Sequence, residues 1–293
     1  MPTDYHAERR AERYAVFGNP VGHSLSPRIH AMFAQQTGQA MHYEAICPPL
    51  DGFAAAVAAF VAQGGRGANV TVPFKEEASR LAQDLTPRAR AAGAVNTLSF
   101  VKDGFIQDGF VQDGSGVRIS GDNTDGAGLV RDLTLNLGRD LGGARILILG
   151  AGGAARGVIM PLLALQPASI FIANRTAEKA LRLAADFQVA GGGFAALDKQ
   201  TFDLAINATS AGLTDAVLPT PTFSANALAY EMLYGRNTPF MQSASGAGVQ
   251  VADGLGMLVE QAAEAFFVWR GVRPQTAPVL AELRTKPRAA LSK

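Results

Sequence analysis

Short apolar runs alternate along this chain with stretches whose apolar residues recur at helical spacing, a rhythm that predicts an α/β fold with mostly parallel sheets. Tyr14 to Phe17 reads as the first strand. Ser26-Pro27 then opens a helix, with serine as N-cap and proline at its first position, and Ile29, Met32 and Phe33 supply the buried stripe. A second strand is expected near Met41 to Cys47. Phe53, Val57, Phe60 and Val61 mark a second helix, which Gly64-Gly65 ends. Strands follow at Ala68 to Val72 and around Ala94 to Phe100. The segment KDGFIQDGFVQDGSG, rich in Asp-Gly, predicts one or two hairpin turns in an exposed excursion.

GDNTDG leads into a helix whose Leu129, Val130, Leu133 and Leu137 share a face, and a domain boundary is expected close to Asp125. The second half begins with RILILG, a continuous apolar run suited to a strand covered on both sides. Further strands are predicted at Ser169 to Ala173, Asp203 to Asn207, Leu228 to Met232 and Val249 to Ala252. A final helix from about Leu255 to Trp269 places Leu258, Ala262, Ala265, Phe266 and Trp269 on one side.

Composition sharpens this picture. With 293 residues, 48% of them hydrophobic, the chain can bury a sizeable core, and its length favours two domains. Lysine plus arginine exceed aspartate plus glutamate by one, so no strong field selects nucleic acid or an anionic membrane, and a small molecule is the expected partner. Cys47 is the single cysteine, which excludes an internal disulfide, and no metal-ligand cluster is visible. The opening MPTDYHAERRAER is polar and charged, and no later stretch reaches about 18 uninterrupted apolar residues. A cytoplasmic protein is expected.

GAGGAA follows a predicted strand and precedes a helical stretch, so Gly150, Gly152 and Ala155 fill the G-x-G-x-x-G/A pattern in its required context. Gly150, Ala151, Gly152, Gly153 and Ala154 would line a dinucleotide pyrophosphate at the helix N-terminus; the plain alternative is a glycine-rich turn that binds nothing. An NAD site usually ends the next strand with an acid about 20 positions on. Here the strand ends in Asn174-Arg175-Thr176. Asn174 suits a ribose oxygen, while Arg175, Thr176 and Lys179 suit a 2′-phosphate, which points to NADP. Capping of the following helix is the competing role.

Five further stretches, FGNPVGHSLSP, NVTVPFK, AGAVNT, GDNTDG and DGLGMLVEQAA, resemble those of shikimate dehydrogenases in order and spacing. With GAGGAA and NRT the resemblance runs from about Tyr14 to Pro274. It implies a two-domain α/β oxidoreductase that reversibly reduces 3-dehydroshikimate to shikimate with NADPH. The substrate domain would span residues 1–124, a Rossmann-type NADP domain residues 125–254, and C-terminal helices, residues 255–293, would return to the first domain. By the same resemblance Lys75 and Asp125 form a catalytic acid/base pair; a positioned ammonium can supply a proton while stabilising developing negative charge. A solvated amine beside KEEASRL is the alternative for Lys75.

Ser24 and Ser26 would bind the substrate carboxylate, Thr71, Asn96, Asp125 and Gln261 the ring hydroxyls, and Tyr234 either group. Backbone satisfaction for Asn96, a helix flank for Gln261 and core packing for Tyr234 compete with these roles. Gly254 and Met232 would lie near the nicotinamide, with Met232 equally suited to filling the core. His23, in the serine loop, receives no catalytic role, nor do His30 and His42, which are expected to be partly buried or at the surface. The excursion at residues 102–118 is longer than usual for the family, and Lys179 stands where many members have arginine. Partners reduce to the small-molecule substrate, without nucleic acid or membrane, in a monomer or homodimer. A quinate/shikimate dehydrogenase with relaxed substrate or NAD use, and a non-catalytic sensor of a nucleotide or ring acid, are the rival readings.

Overall fold

The apolar runs of the first half pair into a six-stranded sheet. The computed structural model describes residues 11–102, 116–198, 200–214 and 216–285; most of the expected hairpin excursion, residues 103–115, lies outside them. Its elements are β1 (Glu12–Phe17), α1 (Ser26–Thr37), β2 (Met41–Ile46), α2 (Phe53–Ala62), β3 (Gly65–Val70), α3 (Lys75–Leu81), β4 (Asp84–Leu85), α4 (Pro87–Ala92), β5 (Thr97–Lys102) and β6 (Val117–Asp122). The strand order is β2-β1-β3-β5-β6-β4. Pairing is parallel except on both sides of β5, which runs against β3 and β6. The β5–β6 ladder reaches Lys102 opposite Val117, and β6 is a strand that the apolar pattern did not predict.

From this sheet the chain enters α5 (Asp125–Arg131), prolonged by a π-helical turn at Asp132–Asn136. The second half then forms β7 (Arg145–Leu149), α6 (Gly153–Leu163), β8 (Ser169–Ala173), α7 (Ala177–Phe187), β9 (Ala190–Gly192), β10 (Thr201–Asn207), β11 (Thr222–Glu231), α8 (Pro239–Gly246) and β12 (Gln250–Asp253). All pairings are parallel, in the order β12-β11-β10-β7-β8-β9. This is the doubly wound dinucleotide order, with its switch point between β7 and β10. RILIL behaves as its pattern requires: Ile146 and Ile148 enter the core under α5, α6 and α7, while Leu147 and Leu149 enter the opposite core with Phe240 and Ala244 of α8.

Two further helices, α9 (Leu255–Arg270) and α10 (Ala277–Thr285), leave the second sheet behind. Val259, Ala262 and Phe266 of α9 and Val279, Leu280 and Leu283 of α10 pack with Ile29 and Phe33 of α1. The Trp269 indole reaches the first sheet and donates to Leu98 O at 3.0 Å, where Gly67 leaves room for the ring. Among the described residues no helix is long and apolar enough to cross a membrane.

Several local expectations need correction. Ser26 is the first residue of α1 rather than its cap; Leu25 holds the cap position, and Ser24 Oγ accepts from Ser26 N at 3.2 Å. Gly65 opens β3 instead of only ending α2, and β3 stops at Val70, two residues early, because Val72-Pro73 turns away. Helix α9 is not the last, since α10 follows. His30, expected to be partly buried or at the surface, is fully buried in α1, stacked on Tyr43 at 4.2 Å between ring centroids and packed against Phe266 and Trp269. Among the described residues neither ring nitrogen has a partner in hydrogen-bond geometry, although the Asn69 side chain lies close enough to favour the charged ring weakly against burial.

That burial holds the His30 pKa down at about 3 instead of the usual 6.5. The unfolded chain therefore binds this proton more tightly. The resulting stability is complete above pH 6.5 and is lost as pH falls towards 3. Between pH 7 and pH 4 the native sequence is expected to lose about 3 kcal/mol more stability than a His30→Phe variant, read by urea unfolding at each pH.

Candidate active site

Because β3 and β6 run the same way and β5 runs between them in reverse, the ends of β3 and β6 and the start of β5 share one edge of the first sheet. The motif residues meet there. Thr71 and Lys75 follow β3, Asn96 precedes β5, and Asn123, Thr124 and Asp125 follow β6. Lys75 opens α3 and Asp125 opens α5, and Lys75 Nζ donates to Asp125 Oδ2 at 2.6 Å. Their side chains are 28% and 11% exposed, so the pair is mostly shielded yet reachable. The amine's partner is Asp125 rather than an acid of its own KEEASRL helix.

Asn96 organises the other side of this pair. Its Nδ2 donates to Asp125 Oδ1 at 2.8 Å and to Thr124 Oγ1 at 3.0 Å, with Gln261 Oε1 at 3.3 Å, while its Oδ1 accepts from Thr124 N at 2.8 Å. Gln261 Nε2 is tied to Leu258 O within α9. The backbone role expected as the alternative for Asn96 is present, through Thr124 N, and the same side chain also holds the Asp125 carboxylate.

Asp122, at the end of β6, anchors this segment. Arg88 of α4 grips both its oxygens at 2.7 and 2.6 Å, Thr86 Oγ1 donates at 2.6 Å, and Asn123 N at 2.7 Å. Burial alone would raise its pKa, but the Arg88 and Thr86 hydrogen bonds hold the carboxyl below the usual range. Arg88 also reaches Glu264 at 3.0 Å, joining α4 to α9.

A cavity of about 300 Å³ opens beside these residues. Ser24, Ser26, Thr71, Tyr234 and Gln261 line it with His23, Asn69 and apolar groups from β1, the following loop and α9. Tyr234 also packs against the α1–α9 core. Thr71 is pressed close to the first loop, where Gly18 is required: a Cβ there would lie 2.4 Å from Thr71 Cγ2. Asn69 was missed in the sequence. It is buried, accepts from Tyr43 Oη at 2.7 Å and donates to Asn96 O at 3.1 Å. Its position in NVTVPFK, two before Thr71, is the signal that could have found it.

On the second sheet, β7, β8 and β10 end level, with Leu149 opposite both Ala173 and Asn207. Gly150 follows with φ +109°, and a Cβ there would press within 3.1 Å of Ala208 O. Gly152 caps α6, and a Cβ on Gly152 or Gly153 would meet nothing within 4 Å. With Ala151 and Ala154 beside them, these residues form a bare cradle over the helix N-terminus, free of acidic residues in its first turn, which fits a pyrophosphate. Buried Ala155 packs α6 on the sheet. Arg175, Thr176 and Lys179 follow the end of β8, and Thr176 occupies the N-cap of α7 without a side-chain cap bond. Asn174 Nδ2 donates to Thr176 O at 3.0 Å and so shapes that turn.

Gly254 is accounted for within the chain itself, since a Cβ would fall 2.1 Å from Met232 O. Met232 packs partly against the core of the second sheet, its alternative role. Asn207 and Thr209, at the end of β10, were not singled out in the sequence. They stand at the switch point, where Thr209 Cγ2 approaches Gly150. The two halves of the site are close: α6 backs onto the start of α5, where a Cβ on Gly126 would lie 2.5 Å from Gly157 O.

A glycine turn at the switch point of a doubly wound sheet, set behind a shielded Lys75–Asp125 ion pair, fits a two-domain α/β oxidoreductase. Comparison with known proteins resolves the class. The family model of the shikimate dehydrogenase substrate binding domain matches residues 16–98, that of shikimate / quinate 5-dehydrogenase residues 132–216, and that of the shikimate 5′-dehydrogenase C-terminal domain residues 254–284. A shikimate dehydrogenase (NADP(+)) from Dechloromonas aromatica is 59% identical, the match covering 94% of this chain and 98% of that protein. Among solved structures, an Ael1 enzyme from Pseudomonas putida is similar with a TM-score of 0.83 at 45% identity, covering 93% of this chain and 98% of the other. Shikimate 5-dehydrogenase from Thermus thermophilus, in complex with NADP(H) and shikimate, follows at a TM-score of 0.79 and 33% identity, covering 94% and 99%. The chain belongs to the shikimate dehydrogenase family.

Removing the Asn96 side chain strands Thr124 N and leaves Asp125 Oδ1 without its amide donor. Asn96→Ala is expected to lower stability by about 2–3 kcal/mol, measured by urea denaturation at neutral pH.

Proposed function

We propose that this protein is an NADP-dependent shikimate dehydrogenase that reversibly reduces 3-dehydroshikimate to shikimate, with Lys75 and Asp125 as its acid/base pair. The 2.6 Å contact between these groups, beside a cavity of about 300 Å³ that Ser24, Ser26, Thr71 and Gln261 help to line, carries the reading. Bound NADP supplies or accepts the hydride. Lys75 Nζ gives its proton to the carbonyl oxygen as that oxygen gains charge, and Asp125 holds the resulting hydroxyl against Nζ. In the oxidative direction the same atoms take the proton back. Lys75, the more exposed partner, exchanges it with solvent.

Ser24 and Ser26 receive the ring carboxylate, Thr71, Asn96, Asp125 and Gln261 the ring hydroxyls, and Tyr234 either group; the cavity that Ser24, Ser26, Thr71, Tyr234 and Gln261 share supports this, and the Asn96–Gln261 contact links Asn96 to it. Many fixed polar contacts keep the ring in one orientation, which is what a directed hydride transfer requires. Gly150 to Ala154 hold the pyrophosphate, while Arg175, Thr176 and Lys179 take the 2′-phosphate. The residues before Asp125, with α9 and α10, form the substrate domain, and Asp125 to Gly254 the cofactor domain. The near-balanced charge supports partners that are small molecules rather than nucleic acid or an anionic membrane surface.

A second reading is a quinate/shikimate dehydrogenase with relaxed substrate or NAD use; Lys179, whose ammonium lacks arginine's two-pronged grip on a phosphate, favours its NAD arm. Steady-state rates with both acids and both cofactors separate the two.

Lys75→Ala should fold normally by circular dichroism and lose about 10²–10⁴-fold in kcat. Near-normal turnover in that variant would refute the assigned chemistry. Arg175→Ala is expected to raise KM for NADP by about 10–100-fold and to leave KM for NAD nearly unchanged.

A further inference from the structure

Strand β11 ends in Glu231, whose carboxylate is fully buried and is held by neutral donors. Burying such a charge is costly unless its hydrogen bonds are complete. They come from two directions. Asn207 Nδ2, at the end of β10, donates to Oε2 at 2.7 Å. From the turn after β11, Thr238 Oγ1 donates to Oε2 at 2.8 Å and Leu233 N to Oε1 at 3.1 Å.

Burial pushes the Glu231 carboxyl up while the Leu233, Thr238 and Asn207 hydrogen bonds pull it back; with donors at each of these contacts the carboxylate accepts throughout, and so dictates the direction of every bond that reaches it. With Nδ2 turned to Glu231, the Asn207 amide must present Oδ1 to the other side, where Thr209 N and Oγ1 donate at 3.0 and 2.7 Å. Thr209 Oγ1 in turn accepts from Ala211 N at 3.1 Å. Thr209 is the residue whose methyl lies against Gly150 at the dinucleotide turn. In the other direction, Leu233 precedes Tyr234, which lines the substrate cavity.

We propose that Glu231 is a positioning residue that sets both walls of the cleft from one acceptor-only group: the cofactor-side turn after β10 and the substrate-side turn after β11. This rests on the function proposed above for the two ligands, but its test uses binding rather than turnover.

Glu231→Gln replaces one acceptor with a donor. At Oε1 the new NH₂ faces Leu233 N–H; at Oε2 it faces Asn207, whose amide must then flip and set its own NH₂ against Thr209 N–H. The double variant Glu231→Gln, Asn207→Asp restores a donor–acceptor pair at that junction, keeps one carboxylate, and still offers Thr209 an acceptor. Dissociation constants of the binary complexes with NADP⁺ and with shikimate, by fluorescence titration and calorimetry, read the effect; the unmutated protein reports separately on the proposed function.

The expected result is a Glu231→Gln protein that melts cooperatively and binds both ligands at least about tenfold more weakly, with NADP⁺ binding returning to within about threefold of the original in the double variant. A folded Glu231→Gln protein with both constants unchanged would overturn the proposal. So would a melting temperature lowered without any change in binding, or a double variant no better than the single one. If Glu231→Gln does not fold, the double variant decides alone: near-original NADP⁺ binding supports the role, and weak binding or failure to fold ends it.

Discussion

The rest of the site depends on an ammonium held at the start of a helix. Lysine is unfavourable there, because the unsatisfied N–H groups of a helix N-terminus already present positive charge, whereas aspartate is favourable. Lys75 and Asp125 each open a helix, α3 and α5, and the two helix starts lie side by side. The carboxylate thus offsets both the ammonium and the helix that would repel it, with Glu76 and Glu77 adding further negative charge in the first turn of α3. Sheet topology makes this possible across 50 residues of sequence: with β5 reversed between β3 and β6, the strand ends that lead into α3 and α5 emerge on the same edge.

The same constraint explains why the dinucleotide half must be held close behind. Helix α6 packs on α5 at Gly126, so the segment bearing Asp125 is fixed from the first sheet by Asp122 and from the second by α6. Further along, Asp132 in the π-helical turn accepts from Tyr230 Oη of β11 at 2.6 Å, and Glu260, the neighbour of Gln261, accepts from Arg131 at 2.9 Å. Burial pushes the Asp132 carboxyl up, with the Tyr230 and Asn136 hydrogen bonds pulling against it. A π turn at such a junction shifts the register of α5 so that Asp132 can meet the second sheet while Asp125 faces the first.

Much of this was legible in the chain. β7 and β8 declare themselves as continuous apolar runs because both faces are covered, and the glycine turn between β7 and α6 carries its own steric reason. The motif residues Lys75, Asn96 and Asp125 were found by resemblance, since nothing local in NVTVPFK or GDNTDG states that they meet. The two-residue β4 and the Ala-Gly-Gly strand β9 were not legible: edge strands this short show no periodicity, and their pairing is decided by neighbours far along the chain. His30 was misplaced for a related reason. One polar residue on an apolar helix face reads as a boundary, and only the arrival of α9 covers it. Asn69, Asn207 and Glu231 act through side-chain hydrogen bonds to distant partners, which no spacing rule encodes.

Those three belong to a wider pattern of buried polar groups at strand and helix ends. Loops around a cleft cannot be held by apolar packing alone, because their backbone groups must stay hydrogen-bonded and their ligand-facing sides must stay open. Acceptor-rich carboxylates solve this by gathering several donors at one point: Asp122 collects Arg88, Thr86 and Asn123, Asp132 collects Tyr230 and Asn136, and Glu231 collects Asn207, Thr238 and Leu233. Each node joins elements remote in sequence. The side chains that line the cavity therefore need not pair with one another as tightly as Lys75 does with Asp125, since their places are set from behind.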